Sequence, residues 1–440
     1  MSPPIRRFKP TESLTVTANG VMVGELSRIE GKGIYFVYDK EWLAKGFDLS
    51  PLTMTFDDKP QLAREGRLFK GLHGPFADSL PDGWGLLLMD RFFDATFGAG
   101  TSLTLSPLDR LAYIGDRAMG IFEFHPKTEK VAAESVNLAR LFEASVEVQQ
   151  GDTPKVLKGL RLAGGSPAGA RPKAIVALSH DLETATSAFG QLPPGYAHWL
   201  VKFRALSEPL ETGCIEQAYA VMARKAGVNM AHTELLEVQM RQGGFERFFA
   251  AKRFDRDGDR KIHMITLSAL VYADFRAPTM DYSQILKLTS ALTKNAAEVE
   301  KMARLMIFNA VFHNYDDHTK NFAFLYHEPQ DKNGQGVWTL SPAYDLTFSD
   351  GMGEHSTAFS GHGKPTRKVI RDLCKDYKYL KPDDYIDQTL AALDDWERVL
   401  RALKIPKSAG VAIHRVLSDA RVRFEDNSPA LRSFQERSDR

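Results

Sequence analysis

Between Asn321 and Asp345 the chain carries two short apolar runs that can pair in one simple way. Asn321-Phe322-Ala323-Phe324-Leu325-Tyr326 alternates, a turn-rich connector contains Asn333-Gly334, and Val337-Trp338-Thr339-Leu340 follows. This is the pattern of a β-hairpin. An antiparallel pair lays the start of its first strand beside the end of its second, so the hairpin predicts that Asn321 and Asp345 lie together. Immediately upstream, His313-Asn314-Tyr315-Asp316-Asp317-His318-Thr319-Lys320-Asn321 places Asp316 five positions before Asn321. A carboxylate that orients a hydroxyl nucleophile, followed by an amide that holds a metal ion, suits phosphoryl transfer, in which positioning and electrostatics supply nearly all of the catalysis. Asn321 and Asp345 offer two oxygen donors, a set that suits Mg²⁺ because this ion fills its other positions with water and phosphate. The spacing alone would arise about once by chance in a chain of this size. The bland alternative is an Asx-rich turn between a helix and a hairpin, with no chemistry.

Asn295, with Glu298 three residues later, predicts a capping-box start for a helix through Met302, Leu305, Met306, Ile307, Val311 and Phe312. Its C-terminal half is apolar all round, which predicts burial and a loop anchored to the core. Upstream of residue 268 the pattern is instead β-rich. Leu14 to Leu26 reads as a hairpin around Asn19-Gly20, and further strands are expected at Gly33–Tyr38, Lys173–Leu178, Trp199–Phe203, Glu234–Met240 and Phe248–Arg253. The expected organisation is α+β: a β-rich N-terminal subdomain over 1–128, a small lobe over 129–267 and a mainly helical lobe over 268–440, in a two-lobed kinase-like fold.

A formal net charge of +1 provides no global basic field, so nucleic acid or an anionic membrane would have to be met through a local patch or a partner. The only cysteines, Cys214 and Cys374, exclude a disulfide framework and a thiolate zinc site. No apolar stretch reaches membrane-spanning length and no secretory leader precedes the first strand, so a cytoplasmic location is expected.

In the small lobe, Leu162-Ala163-Gly164-Gly165-Ser166-Pro167-Ala168-Gly169-Ala170-Arg171-Pro172-Lys173 is a glycine-rich turn entering a strand. Its small residues, Ala168, Gly169 and Ala170 among them, would let backbone N–H groups approach phosphate, although an ordinary surface loop reads equally well. Lys202 lies inside the apolar run Trp199–Phe203, and Glu216 lies on the following helix. That order suits the lysine–glutamate pair that positions phosphates in kinases; the alternative is a solvent-facing lysine on an edge strand. Lys252-Arg253-Phe254-Asp255 ends a strand and could present backbone groups to adenine and Asp255 to ribose, or be no more than a charged strand end.

With these segments in order, the chain resembles the HipA family of bacterial serine/threonine kinases, toxins of HipBA-type toxin–antitoxin pairs. The likeness runs through Gly20 to Leu26, Tyr113-Ile114-Gly115-Asp116 with Gly120, Ser166 to Lys173, Arg253 to Arg256, Asp316-x-His318-x-Lys320-Asn321 and Tyr344-Asp345. The resemblance implies a catalytic base at Asp316, Mg²⁺ on Asn321 and Asp345, ATP phosphates at Lys202, and nucleotide contacts at Ala168–Ala170, Lys252–Asp255 and His318. It implies autophosphorylation of Ser166 that ejects the glycine-rich loop, a small helix-turn-helix antitoxin of HipB type as partner with operator DNA bound indirectly, and a protein substrate such as an aminoacyl-tRNA synthetase. Asp317 stands where some members carry glycine, and either a metal-supporting or a loop-capping role is open to it. An antibiotic-type small-molecule kinase and a kinase-like co-repressor acting through a DNA-bound antitoxin are the alternative functions.

Overall fold

Asn19 and Gly20 both take positive φ, +47° and +83°, as a two-residue turn matched to strand twist requires. They join β1 (Ser13–Ala18) to β2 (Val21–Ile29), with Ala18 opposite Val21 and a register irregularity at Val16/Thr17. β3 (Gly33–Tyr38), β4 (Gln61–Leu62) and β5 (Phe122–His125) complete a sheet of order β4-β3-β2-β1-β5. Its buried face, with Leu14, Val16, Leu26, Phe36 and Phe124, packs in one apolar cluster with Phe76, Met89 and Phe93. The latter two come from the helix Gly83–Phe97. The computed structural model describes residues 7–64, 68–128, 135–151, 158–165, 169–329 and 336–425.

A second sheet runs β10-β11-β9-β7-β8-β6, made of β6 (Ser135–Val136), β7 (Lys173–Ser179), β8 (Ala185–Ser187), β9 (Tyr196–Lys202), β10 (Thr233–Gln239) and β11 (Phe245–Lys252). Ala174, Val176, Trp199, Val201 and Phe248 pack there with Leu141, Phe142 and Leu160 of two helices, Leu138–Gln150 and Lys158–Gly164. After the small ribbon β12 (Arg256–Asp257) and β13 (Arg260–Lys261), β14 (His263–Thr266), β15 (Ala323–His327) and β16 (Val337–Leu340) form a three-stranded sheet. The hairpin expected from sequence is therefore present, with Phe324 opposite Leu340, and β15 also pairs with β14 through Thr266 and Ala323. Its turn, with Asn333-Gly334, lies outside the described residues.

That second pairing joins the hairpin to a strand upstream of residue 268. Among the described residues the chain packs as two units, one drawn from 1–217, 231–275 and 319–342, the other from 218–230, 276–318 and 343–440. The hairpin was expected with the helical lobe, and hydrogen bonds to β14 place it with the β-rich unit.

In the second unit the helix Ala296–Val311 is buried at every position from Leu305 to Val311, as its apolar pattern predicts. Asn295 caps it by accepting the Ala297 N–H, but the reciprocal capping box does not form; Glu298 instead accepts a hydrogen bond from Lys301 at 2.7 Å. The C-terminal end is fixed by Tyr219, whose hydroxyl donates to the Phe312 carbonyl at 2.8 Å and whose ring meets Trp396 edge-on. Further helices at Tyr282–Thr293, Pro382–Asp394 and Lys407–Val422 make this region predominantly helical. Among the described residues no helix is long and apolar enough to cross a membrane.

Candidate active site

β9 lies between β11 and β7, so Lys202 is on an interior strand and the edge-strand reading fails. The side chain of Lys202 is buried and its ammonium hydrogen-bonds Glu216, which is 1% exposed, on the helix Thr212–Lys225. The other Glu216 oxygen accepts from Arg171 Nη1 at 2.6 Å. A buried carboxylate shared by two cations is held in one geometry, because removing either partner leaves charge without compensation in a poorly solvated place. The lysine and glutamate expected to pair are thus brought together.

The glycine-rich segment leaves the helix Lys158–Gly164 through Gly165, at φ +48°, and is described again from Gly169, at φ +100°. Ser166 and Ala168 lie outside the described residues. Glycine is favoured there by the positive φ, and a Cβ would meet only the movable end of Lys173, 2.7 Å away. The Gly169 N–H donates to Asp82 Oδ1 and its carbonyl accepts the Trp84 N–H at 3.1 Å. Asp82 Oδ2 accepts from Lys320 Nζ at 2.8 Å, and this ammonium also lies 4.2 Å over the Phe275 ring. Burial opposes ionisation of Asp82, but Lys320 and the Gly169 N–H outweigh it and hold the carboxyl below its ordinary value. Sequence reasoning missed Asp82. The usable signal was an aspartate flanked by Pro81 and Gly83 just before a helical run, a context that by itself suggests no more than a cap.

The strand end Lys252–Asp255 is the main correction. The Lys252 and Arg253 N–H groups donate to the carbonyls of His232 and His198, and Lys252 itself is exposed. Asp255 is fully buried, and its oxygens accept from Arg253 Nε at 2.9 Å, Arg253 Nη2 at 2.6 Å, Arg256 Nη1 at 3.0 Å and the Gly120 N–H at 2.7 Å. Arg253 and Arg256 also donate to the Ala118 carbonyl. Asp255 therefore has no face open to a ribose, and the side chain of Arg253 points into the protein. Phe254, half-buried between them, is the residue of this run whose side chain is neither exposed nor part of that cluster.

In the second unit the loop after the buried helix is tied down residue by residue. Asn314 donates to the Asn309 side chain at 3.0 Å, Asn309 donates to the Tyr282 hydroxyl at 3.0 Å, and that hydroxyl donates to Asp317 Oδ2 at 2.8 Å. His355 Nδ1 lies 2.8 Å from the same oxygen, and the Thr357 N–H donates to Asp317 Oδ1 at 3.1 Å. Asp317 is fully buried with both oxygens engaged, which resolves its open role: it holds the loop and is not turned toward a metal. The chain His313–Tyr315 also pairs with Ser349, through the Tyr315 N–H to the Ser349 carbonyl and the Ser349 N–H to the His313 carbonyl. Between buried Tyr315 and buried Asp317, the Asp316 side chain is 55% exposed, with His318 Nε2 3.7 Å away. A fixed backbone presenting one outward carboxylate is what a base acting on an incoming hydroxyl requires. Asp317→Ala is expected to lower stability by about 2 kcal/mol, since it strands the Tyr282 hydroxyl and the Thr357 N–H. A urea titration of wild type and variant measures it.

Asp345 sits in the second unit at φ +57°, a conformation that aspartate tolerates but that persists only where surrounding structure enforces it. The Ala343 N–H just before it donates to the Asn229 carbonyl at 2.7 Å. Asn321 ends the short turn Thr319–Asn321 in the first unit, where the Ser341 N–H closes the hairpin onto the Ala323 carbonyl at 2.9 Å. The two side chains supply an amide oxygen and a carboxylate, hard donors that fit Mg²⁺. Among the described residues no group of three or more His, Cys, Asp or Glu side chains could hold a metal by itself.

Comparison with known proteins follows the same segments. The model of the HipA N-terminal domain matches residues 14–125, and that of the HipA-like C-terminal domain matches 165–420, more than half of the chain. A curated protein of Sinorhizobium fredii, "Putative kinase Y4dM", is 28% identical over 159 residues, covering 34% of this chain and 36% of that relative's length. A solved structure titled "Shewanella oneidensis MR-1 Toxin Antitoxin System HipA, HipB and its operator DNA complex" contains a chain similar at TM-score 0.65 and 16% identity, covering 93% of this chain and 96% of that one. At that identity the likeness speaks for the fold.

Proposed function

This chain belongs to the HipA family, and from that premise we propose that it is an ATP- and Mg²⁺-dependent serine/threonine protein kinase acting as the toxin of a toxin–antitoxin pair. The observation that carries the reading is the buried Lys202–Glu216 pair, a strand lysine oriented by a carboxylate on the next helix, as phosphate positioning requires. Asp316 accepts the proton of the substrate hydroxyl, and its exposed side chain on a fixed loop supports that role. Asn321 and Asp345 would hold Mg²⁺, which, when bound, neutralises charge on the transferred phosphoryl group. Ala170 approaches the phosphates through its backbone N–H, beside Gly169, whose own N–H is held by Asp82, and Lys252 to Phe254 lie along the adenine, without Asp255. His318 borders the nucleotide beside Asp316.

Ser166 is the autophosphorylation site in this reading: a phosphate there would add charge to a loop built to bind phosphate, so loop and nucleotide could not share the place. The partner is a small helix-turn-helix antitoxin that brings the complex to operator DNA, and the near-neutral charge of this chain suits indirect contact with DNA. The substrate is a translation-related protein of the aminoacyl-tRNA synthetase class. Incubation of the purified protein with labelled ATP tests the reading. Mg²⁺-dependent transfer to protein, with mass spectrometry placing label on Ser166, is expected; no transfer by wild type to itself or to a cell extract would overturn it in favour of a kinase-like co-repressor.

A further inference from the structure

Asp82 breaks a local rule. It is the N-cap residue of the helix Gly83–Phe97, yet its side chain makes no capping hydrogen bond with that helix. Aspartate is favoured at this position because its carboxylate satisfies the free N–H groups of the first turn, and giving this up costs about 1 kcal/mol of helix stability. Both oxygens are directed elsewhere. One accepts the Gly169 N–H of the glycine-rich loop and the other the Lys320 ammonium, from the loop that ends in Asn321. A residue that forgoes its own cap to join two functional loops marks a function beyond local stability.

The backbone around it repeats the connection. The Trp84 N–H donates to the Gly169 carbonyl. A Cβ on Gly83 would stand 2.6 Å from that carbonyl oxygen, and one on Gly85 would stand 3.0 Å from the carbonyl oxygen of Gly165. Gly83 and Gly85 thus let the helix start press against both described ends of the glycine-rich loop. The contact belongs to residues 14–125, the N-terminal module, and reaches a loop of the C-terminal module.

We propose that Asp82 is a positioning residue for nucleotide binding, by which the N-terminal module fixes the backbone at Gly169, next to Ala170 of the glycine-rich loop, and Lys320, next to Asn321. This rests on the kinase reading above. The acting features are geometric: the Asp82 hydrogen bond, together with the Trp84 N–H on the Gly169 carbonyl, holds the loop at Gly169, and the ion pair holds Lys320 next to Asn321. Neither requires Asp82 to touch the nucleotide.

The test is calorimetric titration of the full chain with ATP and Mg²⁺ for wild type, Asp82→Asn and Asp82→Ala, alongside thermal unfolding. Asp82→Asn retains an oxygen for the Gly169 N–H but loses the charge that holds Lys320, whereas Asp82→Ala loses both. ATP affinity is expected to fall by about 10- to 100-fold in Asp82→Ala, the range for a residue that orients a binding group from behind, and by less in Asp82→Asn. A purely structural role would lower the melting temperature and leave the affinity of folded protein unchanged. Wild-type affinity in both variants overturns this inference and leaves the kinase reading intact; if Asp82→Ala does not fold, unchanged affinity in Asp82→Asn overturns it alone. Failure of wild type to bind ATP overturns the kinase reading, and the role of Asp82 with it.

Discussion

Asp316→Asn is expected to lower phosphoryl transfer by about 10³-fold while leaving the fold and ATP binding intact. The separation follows from where the side chain stands. Asp316 is 55% exposed, and its neighbours tie down the loop on either side: Asn314 with Asn309, Tyr315 with Ser349, and Asp317 with Tyr282, His355 and Thr357. The amide is nearly the same size as the carboxylate, so the loop keeps its shape. What is lost is an acceptor for the hydroxyl proton, which a carboxamide cannot take up. Single-turnover transfer from labelled ATP, measured beside ATP affinity and melting temperature, separates the steps. Equal transfer by variant and wild type would remove Asp316 from the chemistry. A loss of transfer matched by a loss of folded protein would make it a structural residue, contrary to its exposure.

The parts of this site legible in the sequence are those whose physical reason is local. Asn19-Gly20 announced a hairpin because both residues tolerate positive φ, and the two turn residues do adopt it. The buried helix before Asp316 was visible from its apolar residues on every side. Lys202 could be singled out because a lysine within an apolar strand needs a partner, and Glu216 stands at a sequence distance where the next helix brings it back. The parts that were not legible depend on distant backbone. Nothing in Arg253-Phe254-Asp255-Arg256 says that Gly120 will donate to Asp255, because the partner is 135 positions away and offers an N–H that every residue but proline possesses. Asp82 has the same character: its sequence context is that of a cap, and only the folded chain shows Gly169 and Lys320 in the place of the first helical turn. The pairing of the hairpin across residue 267 has this origin too. A hairpin can be read from its own turn, but the strand that it will join, here β14, is chosen by the whole sheet.

Asp255 offers the strongest contrast between the two readings of one motif. As a ribose contact it would affect ATP affinity and leave stability alone. The structure predicts the reverse: Asp255→Ala is expected to destabilise the protein by about 3–5 kcal/mol, the cost of removing one partner from a buried charge cluster. Arg253 and Arg256 would remain buried, facing each other and the Ala118 and Gly120 carbonyls without the anion between them, and the Gly120 N–H would lose its acceptor. The pH dependence has a definite sign. Burial opposes ionisation of Asp255, but the two arginines and the Gly120 N–H outweigh it and hold its carboxyl far below the usual carboxylate range. A group whose folded pKa is depressed contributes stability above its unfolded pKa, about 4, and loses that contribution as pH falls through the folded value. The stability difference between wild type and Asp255→Asn should therefore be constant from neutral pH down to about 4 and shrink below it. Denaturant titrations at a series of pH values measure this. Replacing Arg253 as well should cost less than the sum of the two single changes, because the pair acts as one unit. An Asp255 variant as stable as wild type, but with weakened ATP binding, would restore the ribose assignment and show that the cluster opens when nucleotide binds.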